Sequence, residues 1–169
     1  MKLISLFAAI ICSLITTAVQ AGPENVAWPG DYKQSLSHYY SGDRTANGKQ
    51  IIRAYANKAA MAGKQADGNF PYGSVVVGEL YVAKLNDKEE AIISSLGRRI
   101  VDKMAAIVVM QRGEGFDEQY PDALKVGDWE FAVFSPDGKR LDKDVTGCRT
   151  CHHPLSERGF LFSDEHLGQ

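Results

Sequence analysis

No methionine follows His152, only three cysteines occur, and beyond the amino terminus no apolar run is long enough to cross a bilayer. The first absence leaves the tail without a thioether metal ligand. The second confines the chain's sulfur chemistry, because Cys12 lies in the amino-terminal apolar stretch and the remaining pair, Cys148 and Cys151, is local. The third excludes a bundle of membrane-spanning helices. Nor is there a basic stripe or an internal repeat, and the formal net charge is −2, which argues against nucleic acid as a partner.

What is present begins with MKLISLFAAIICSLITTAVQA. Lys2 precedes an apolar stretch that ends on Val19-Gln20-Ala21, a small-x-small arrangement suited to signal peptidase. We expect cleavage after Ala21, a signal peptide over residues 1–21, and one domain over residues 22–169 exported to the periplasm. Cys12 follows Ile11, a poor setting for a lipoprotein site, and would leave with the signal. An uncleaved membrane anchor is the alternative, although the run is short for a full span.

Near the other end stands Cys148-Arg149-Thr150-Cys151-His152, a C-x-x-C-H run on an exported chain. Two thiols at this spacing can each add across a vinyl group of one haem while the adjoining imidazole reaches the iron, so the run reads as c-type haem attachment with His152 as proximal ligand. Rival readings exist. A thioredoxin-type redox centre needs an α/β fold built largely after the motif, and too little chain follows Cys148 to supply one. A structural zinc site takes two separated ligand pairs, whereas here one cysteine pair stands with the crowded His152 and His153. A disulfide between Cys148 and Cys151 stays open but gives no reason for the histidine.

The chain between the ends reads as strands. Residues 22–48 are rich in Gly, Pro, Ser and Asp, as in a loop-rich or short helical lead-in. Lys49 to Ala56 reads as a strand, and Asn57 caps a short helix through Ala62 that Gly63 stops. Phe70-Pro71-Tyr72-Gly73 is turn chemistry. In the strand Ser74 to Lys84, Val75, Val77, Glu79 and Tyr81 face one way and Val76, Gly78, Leu80 and Val82 the other. Asn86 to Lys103 has an acidic first turn and Ile92, Leu96 and Ile100 at helical spacing, which predicts a helix. Met104 to Gln111 suits an inner strand, and Trp129 to Phe134 alternates before the turn Ser135-Pro136-Asp137-Gly138 and a returning Lys139 to Leu141. The expected fold is α+β and mainly β: a single antiparallel sheet domain with a few short helices and haem c attached near the carboxyl terminus. Small electron-carrying cytochromes c place the motif early and a methionine far downstream, and helical cytochromes c′ need amphipathic helices where this chain has Val-rich alternation.

Several segments, in order and spacing, resemble the cytochrome P-460 family, which includes the cytochromes c′-β. They are Tyr55-Ala56-Asn57 with Ala60, Phe70-Pro71-Tyr72-Gly73-Ser74-Val75, Met110-Gln111-Arg112-Gly113-Glu114-Gly115-Phe116, Asp128-Trp129-Glu130-Phe131, Pro136-Asp137-Gly138-Lys139, and Gly147 with the haem motif. The resemblance implies an antiparallel β domain, usually a homodimer, with one high-spin haem c per chain whose distal side is open. In members that oxidise hydroxylamine a lysine bonds to a haem meso carbon, and Gly78 stands at that position here, so the resemblance implies an unmodified haem. Lys84 has the same parity but lies about 20 Å farther along the strand.

An iron held by one imidazole in an apolar pocket binds small ligands such as nitric oxide or carbon monoxide. Two other functions remain open: an oxidoreductase acting on hydroxylamine or nitric oxide, which needs a distal proton acceptor that the sequence does not identify, and an electron carrier serving a redox partner protein. The carrier would need a sixth ligand from Met61, Met104, Met110 or His38, although each methionine also suits core filling and His38 an exposed position. The cofactor-binding set expected from the sequence is Cys148, Cys151, His152, Arg53, Phe70 and Gly78. In it, Phe70 and the Val76, Gly78, Leu80 face either line the distal side or are ordinary core packing, and Arg53 either pairs with a propionate or a bound ligand or is a solvated surface arginine. Glu79 faces away from Gly78 and reads as a rim charge. His153 reads as a bystander and His166 as exposed.

Overall fold

The structure, a computed structural model, describes residues 22–169. The expected signal segment, with Cys12, lies outside the described residues. Strands β1 (Ser37–Asp43), β2 (Gln50–Ala56), β3 (Val75–Ala83), β4 (Val101–Arg112), β5 (Trp129–Phe134) and β6 (Arg140–Leu141) form one six-stranded sheet in sequence order. Every neighbouring pair is antiparallel. Helices α1 (Tyr32–Ser35), α2 (Lys58–Met61) and α3 (Thr146–His152) are short. The fold is therefore mainly β, as the alternation predicts.

Because successive side chains in a strand point to opposite faces, the register sorts the sequence into two surfaces. On one, Ala56, Val76, Met110 and Phe131 lie across four strands and are buried beneath Phe70, Val145, Leu161 and Leu167. On the other, Val77, Val109 and Ala132 align and pack with Val26, Tyr32 and Phe134. Asn57 caps α2 as its sequence position predicts: its Oδ1 accepts from Ala60 N (3.0 Å) and Val75 N (3.1 Å), while its Nδ2 donates to Gly73 O (2.8 Å). One side chain thus ties the helix to the turn before β3.

Three expectations are corrected. The helix predicted over 86–103 does not form; the bridges Leu85↔Ala91 and Ile93↔Arg99 close two tight loops instead. At their root, Lys84 N donates to Ile100 O, Ile92 N to Lys84 O, and Ile100 N to Ile92 O, a closed ring of bonds of 2.8, 2.8 and 3.0 Å. Positive φ at Glu89 (59°) and Gly97 (73°) breaks any helix, and a helical stripe there would have had nothing to pack on: Leu96 is 86% exposed. The lead-in also contains a full strand, β1, which pairs with β2 through a bulge at Tyr39 that polar composition concealed.

Glu79, expected as a rim charge, is fully buried on the face away from Gly78. It accepts from Tyr32 Oη (2.6 Å), Tyr81 Oη (2.9 Å) and Tyr55 Oη (3.4 Å) and pairs with Lys33 Nζ (2.7 Å). Burial pushes its carboxyl up, but the hydrogen bonds from Lys33, Tyr32 and Tyr81 and the Lys33 charge outweigh that and hold it below the usual range. The cluster fastens α1 to the sheet.

Two outcomes follow from these contacts. Asn57→Ala removes three hydrogen bonds from one junction and should cost about 1–2 kcal/mol in denaturant unfolding. Glu79→Gln should cost about 1–3 kcal/mol at neutral pH. A carboxyl whose folded pKa is depressed stabilises above its unfolded pKa and loses that contribution as pH falls through the folded value. The gap between parent and variant should therefore shrink in acid, below the ordinary glutamate range, when thermal unfolding is followed against pH.

Candidate functional site

Helix α3 carries the whole C-x-x-C-H run. Its first turn is held by Asp144 Oδ1, which accepts from Thr146 N (2.9 Å). Residues three apart share a helix side, so Cys148 and Cys151 project together, Cys148 half-buried against the core and Cys151 exposed. Both thiols are free, so the disulfide reading is not realised. Burial raises the Cys148 thiol above its usual pKa, with a smaller opposing effect from the charge of Arg44.

His152 closes the helix with its orientation fixed. Its Nδ1 lies 2.7 Å from Phe160 O, and a carbonyl only accepts, so Nδ1 carries the proton and Nε2 keeps its lone pair. The rings of Phe131 and Phe162 flank it edge-on at 5.1 and 5.0 Å. Burial holds the imidazole below its ordinary pKa, and so neutral near pH 7. The Phe160 carbonyl is aimed by a left-handed turn, Gly159 (φ 58°) followed by Phe160 (φ 64°). Trp129 Nε1 donates to Gly159 O (3.0 Å), and a Cβ on Gly159 would lie 2.9 Å from the Phe70 ring.

Between the cysteines, Arg149 points the opposite way and is completely buried. Its Nη1 donates to Asp117 Oδ1 (2.8 Å) and Leu124 O (3.2 Å), and its Nη2 to Glu130 Oε2 (2.9 Å) and Trp129 O (3.0 Å). Its guanidinium carbon stands 3.3 Å from the Tyr120 ring centroid, and Tyr120 Oη also donates to Glu130 (2.9 Å). Asp117 further accepts from Val126 N and Asp128 N (both 2.8 Å), which folds the loop before β5 around it. Removing one partner of such a buried pair costs about 3–5 kcal/mol. Sequence reading missed Arg149 because a variable position inside the motif carries no pattern of its own; the acidic Asp117 and Glu130 were the only available signal.

Beyond the Val76, Met110, Phe131 row, the same face of the sheet continues as Ala54, Gly78, Val108 and Val133, then Ile52, Leu80 and Ala106. This platform is apolar. At Gly78 an added Cβ would lie 2.9 Å from Val108 Cγ2 and 3.2 Å from Ile52 Cδ1, so these side chains close over the glycine. At the platform's end Arg44, from the β1–β2 hairpin, donates to Gln50 Oε1 (2.6 Å). Its charge bears on both Cys148 and His152 and lowers the pKa of each. Arg99 Nη1 braces that hairpin by donating to the carbonyls of Arg44, Asn47 and Gln50.

The expected set is thus only partly brought together. Cys148, Cys151 and His152 converge, and Gly78 lies on their face of the sheet. Phe70 is buried in the core under Gly159 and against Trp129, where it supports the turn that aims His152 instead of forming an open wall. Arg53 is not at the site. It pairs with Glu79 in register on the opposite face, its guanidinium 4.8 Å from the Tyr81 ring, because strand parity puts it there. Of the candidate sixth ligands, Met104 packs in the opposite core and His38 is exposed, bonded to Ser41 Oγ (2.8 Å), while Met61 and Met110 pack in the core on the motif side. His153 is exposed and its ring engages Lys125 O (2.7 Å). His166 is exposed and stacked on Tyr40.

The donor set suits a covalently attached haem: two free thiols on one helix side, an imidazole with Nδ1 tied and Nε2 bare, and an apolar platform alongside. Among the described residues no group of three or more His, Cys, Asp and Glu side chains gathers to hold an ion by itself. Comparison with curated proteins returns no match. The model of the family described as Cytochrome P460 matches residues 29–163, which include all six strands, the Arg149 network and the attachment motif. The chain belongs to the Cytochrome P460 family, and with that membership comes the character of a haem c cytochrome.

Proposed function

We propose that the protein is an exported, periplasmic mono-haem c cytochrome whose iron, held on one side by His152, binds small ligands such as nitric oxide on the other. When bound, the haem supplies a redox-active iron with a vacant coordination position. Cys148 and Cys151 would hold it by thioether bonds, and Phe160 O and the two phenylalanine rings orient His152. The observation that carries this reading is the chemistry of the platform: on β2 to β5 Ile52, Ala54, Gly78, Leu80, Ala106, Val108 and Val133 offer neither a metal ligand nor a proton acceptor, and the row becomes polar only at β1, where Tyr40 stacks on His166. Such a surface favours small neutral ligands, which lose little solvation on entering it. Arg44 and Gln50 form its polar end. Gly78 has no amine to bond to a macrocycle, and Lys84 lies exposed past the end of β3, which supports an unmodified haem. Export rests on the composition of residues 1–21.

The absorption spectrum of the reduced, matured protein tests this. We expect a high-spin spectrum that shifts on adding nitric oxide or carbon monoxide; a low-spin spectrum indifferent to both would mean a sixth protein ligand and an electron carrier. The intact mass should equal the chain plus one haem, since a lysine cross-link would remove two further hydrogens. We also propose that the protein is a homodimer. Leu85, Ile92, Ile93 and Leu96 of the two-loop insertion are 42, 37, 54 and 86% exposed, a concentration of apolar surface suited to burial against a second copy. Leu96→Glu should then halve the mass measured by sedimentation, and a parent protein that sediments as a monomer refutes the dimer.

A further inference from the structure

The groups that fix the attachment motif lie outside it. Arg149 is held by Asp117, Glu130 and two backbone carbonyls, and none of these groups belongs to the motif. The two carboxylates are in turn fixed from elsewhere. Asp117 is bonded by the amides of Val126 and Asp128, and Glu130 by Tyr120 Oη and the amide of Phe131. At the helix's other end the His152 ring is aimed by Phe160 O, on a turn tied to Trp129. Helix α3 has only seven residues, too few to persist without tertiary anchoring, and it has no side-chain cap of its own on the N-cap residue Val145. Its single fully buried side chain is the arginine between the two cysteines.

We infer that Arg149 is a positioning residue that sets Cys148, Cys151 and His152 in their receiving arrangement before any thioether bond exists, so that the unattached chain takes up free haem through His152. This rests on the haem reading above and adds to it an order of events: the site is formed first and covalent attachment follows. In the uptake step the iron gains an imidazole nitrogen in place of a solvent ligand, with no change of oxidation state and no bond to sulfur. The lysine side chain is a poor substitute for Arg149, since a single ammonium does not reproduce a planar fork that serves two carboxylates and two carbonyls at once.

The test uses the full mature chain as Cys148→Ala/Cys151→Ala, purified without haem, alone and with Arg149→Gln, Arg149→Lys or His152→Ala added. Hydrogen exchange of residues 146–152 and of the β3–β4 core is measured, together with absorbance titration by ferric haem. We expect the double variant to unfold cooperatively, to protect the motif amides, and to bind one haem with an imidazole-ligated spectrum that His152→Ala abolishes. Arg149→Gln should raise motif exchange and weaken haem uptake at least tenfold while the β3–β4 amides keep their protection, and Arg149→Lys should recover only part of the loss. Free exchange of the motif in the haem-free chain would overturn the inference, as would unchanged haem affinity in Arg149→Gln, or loss of protection throughout the sheet in that variant. If instead the parent chain matures without acquiring haem, the haem reading itself falls, and the two failures are told apart.

Discussion

One buried guanidinium decides where the chemistry of this protein sits. Arg149 lies between Asp117 and Glu130 with no exposed surface, and it occupies a position inside the attachment motif. Charges are costly to remove from water and are kept inside only when paired and hydrogen-bonded with good geometry, so the helix has essentially one place it can dock. Cys148 and Cys151 must then project away from the arginine, and His152 must end beside Phe131. The loop from Asp117 to Asp128 serves the same end by folding the amides of Val126 and Asp128 onto the carboxylate that receives Arg149.

The sheet makes the second division, by parity. Gly78 and Glu79 are neighbours in β3, yet one lies on the apolar platform and the other in a polar cluster of three tyrosines and a lysine. The platform rows on β2 to β5 carry no charged side chain, and Arg44 and Gln50 stand at their end. The opposite side uses its buried carboxylate to fasten α1. An apolar platform and a structural anchor are thus separated by the thickness of one strand.

Much of this was legible in the residues. Alternation identified β3 and β5 and assigned the faces of β3 correctly, because a half-buried strand must alternate, and a run apolar on both faces identified most of β4. Asn57 announced its helix through capping chemistry that is local. The failures have a common form. Ile92, Leu96 and Ile100 have helical spacing, but spacing produces a helix only where a surface waits to receive the stripe, and none does. Glu79 reads as a rim charge because a charged residue in a strand says nothing of what neighbouring strands and helices will place over it, and of the two readings of Arg53 the surface one holds, on the face opposite the motif. Strand β1 was hidden by polar residues that only its partner strand explains.

By itself, then, the sequence determined the chemistry: which atoms are available for thioether bonds and coordination, and which strands alternate. Those properties depend on neighbours within a few residues, and local geometry is enough to express them. Tertiary structure alone decided that Arg44 stands at the site and Arg53 does not, that Arg149 anchors the motif, and that Glu79 is buried. Each of these depends on groups brought together from segments far apart in the chain, and the free energy of a buried charge is set by those distant partners and not by the residue's own place in the sequence.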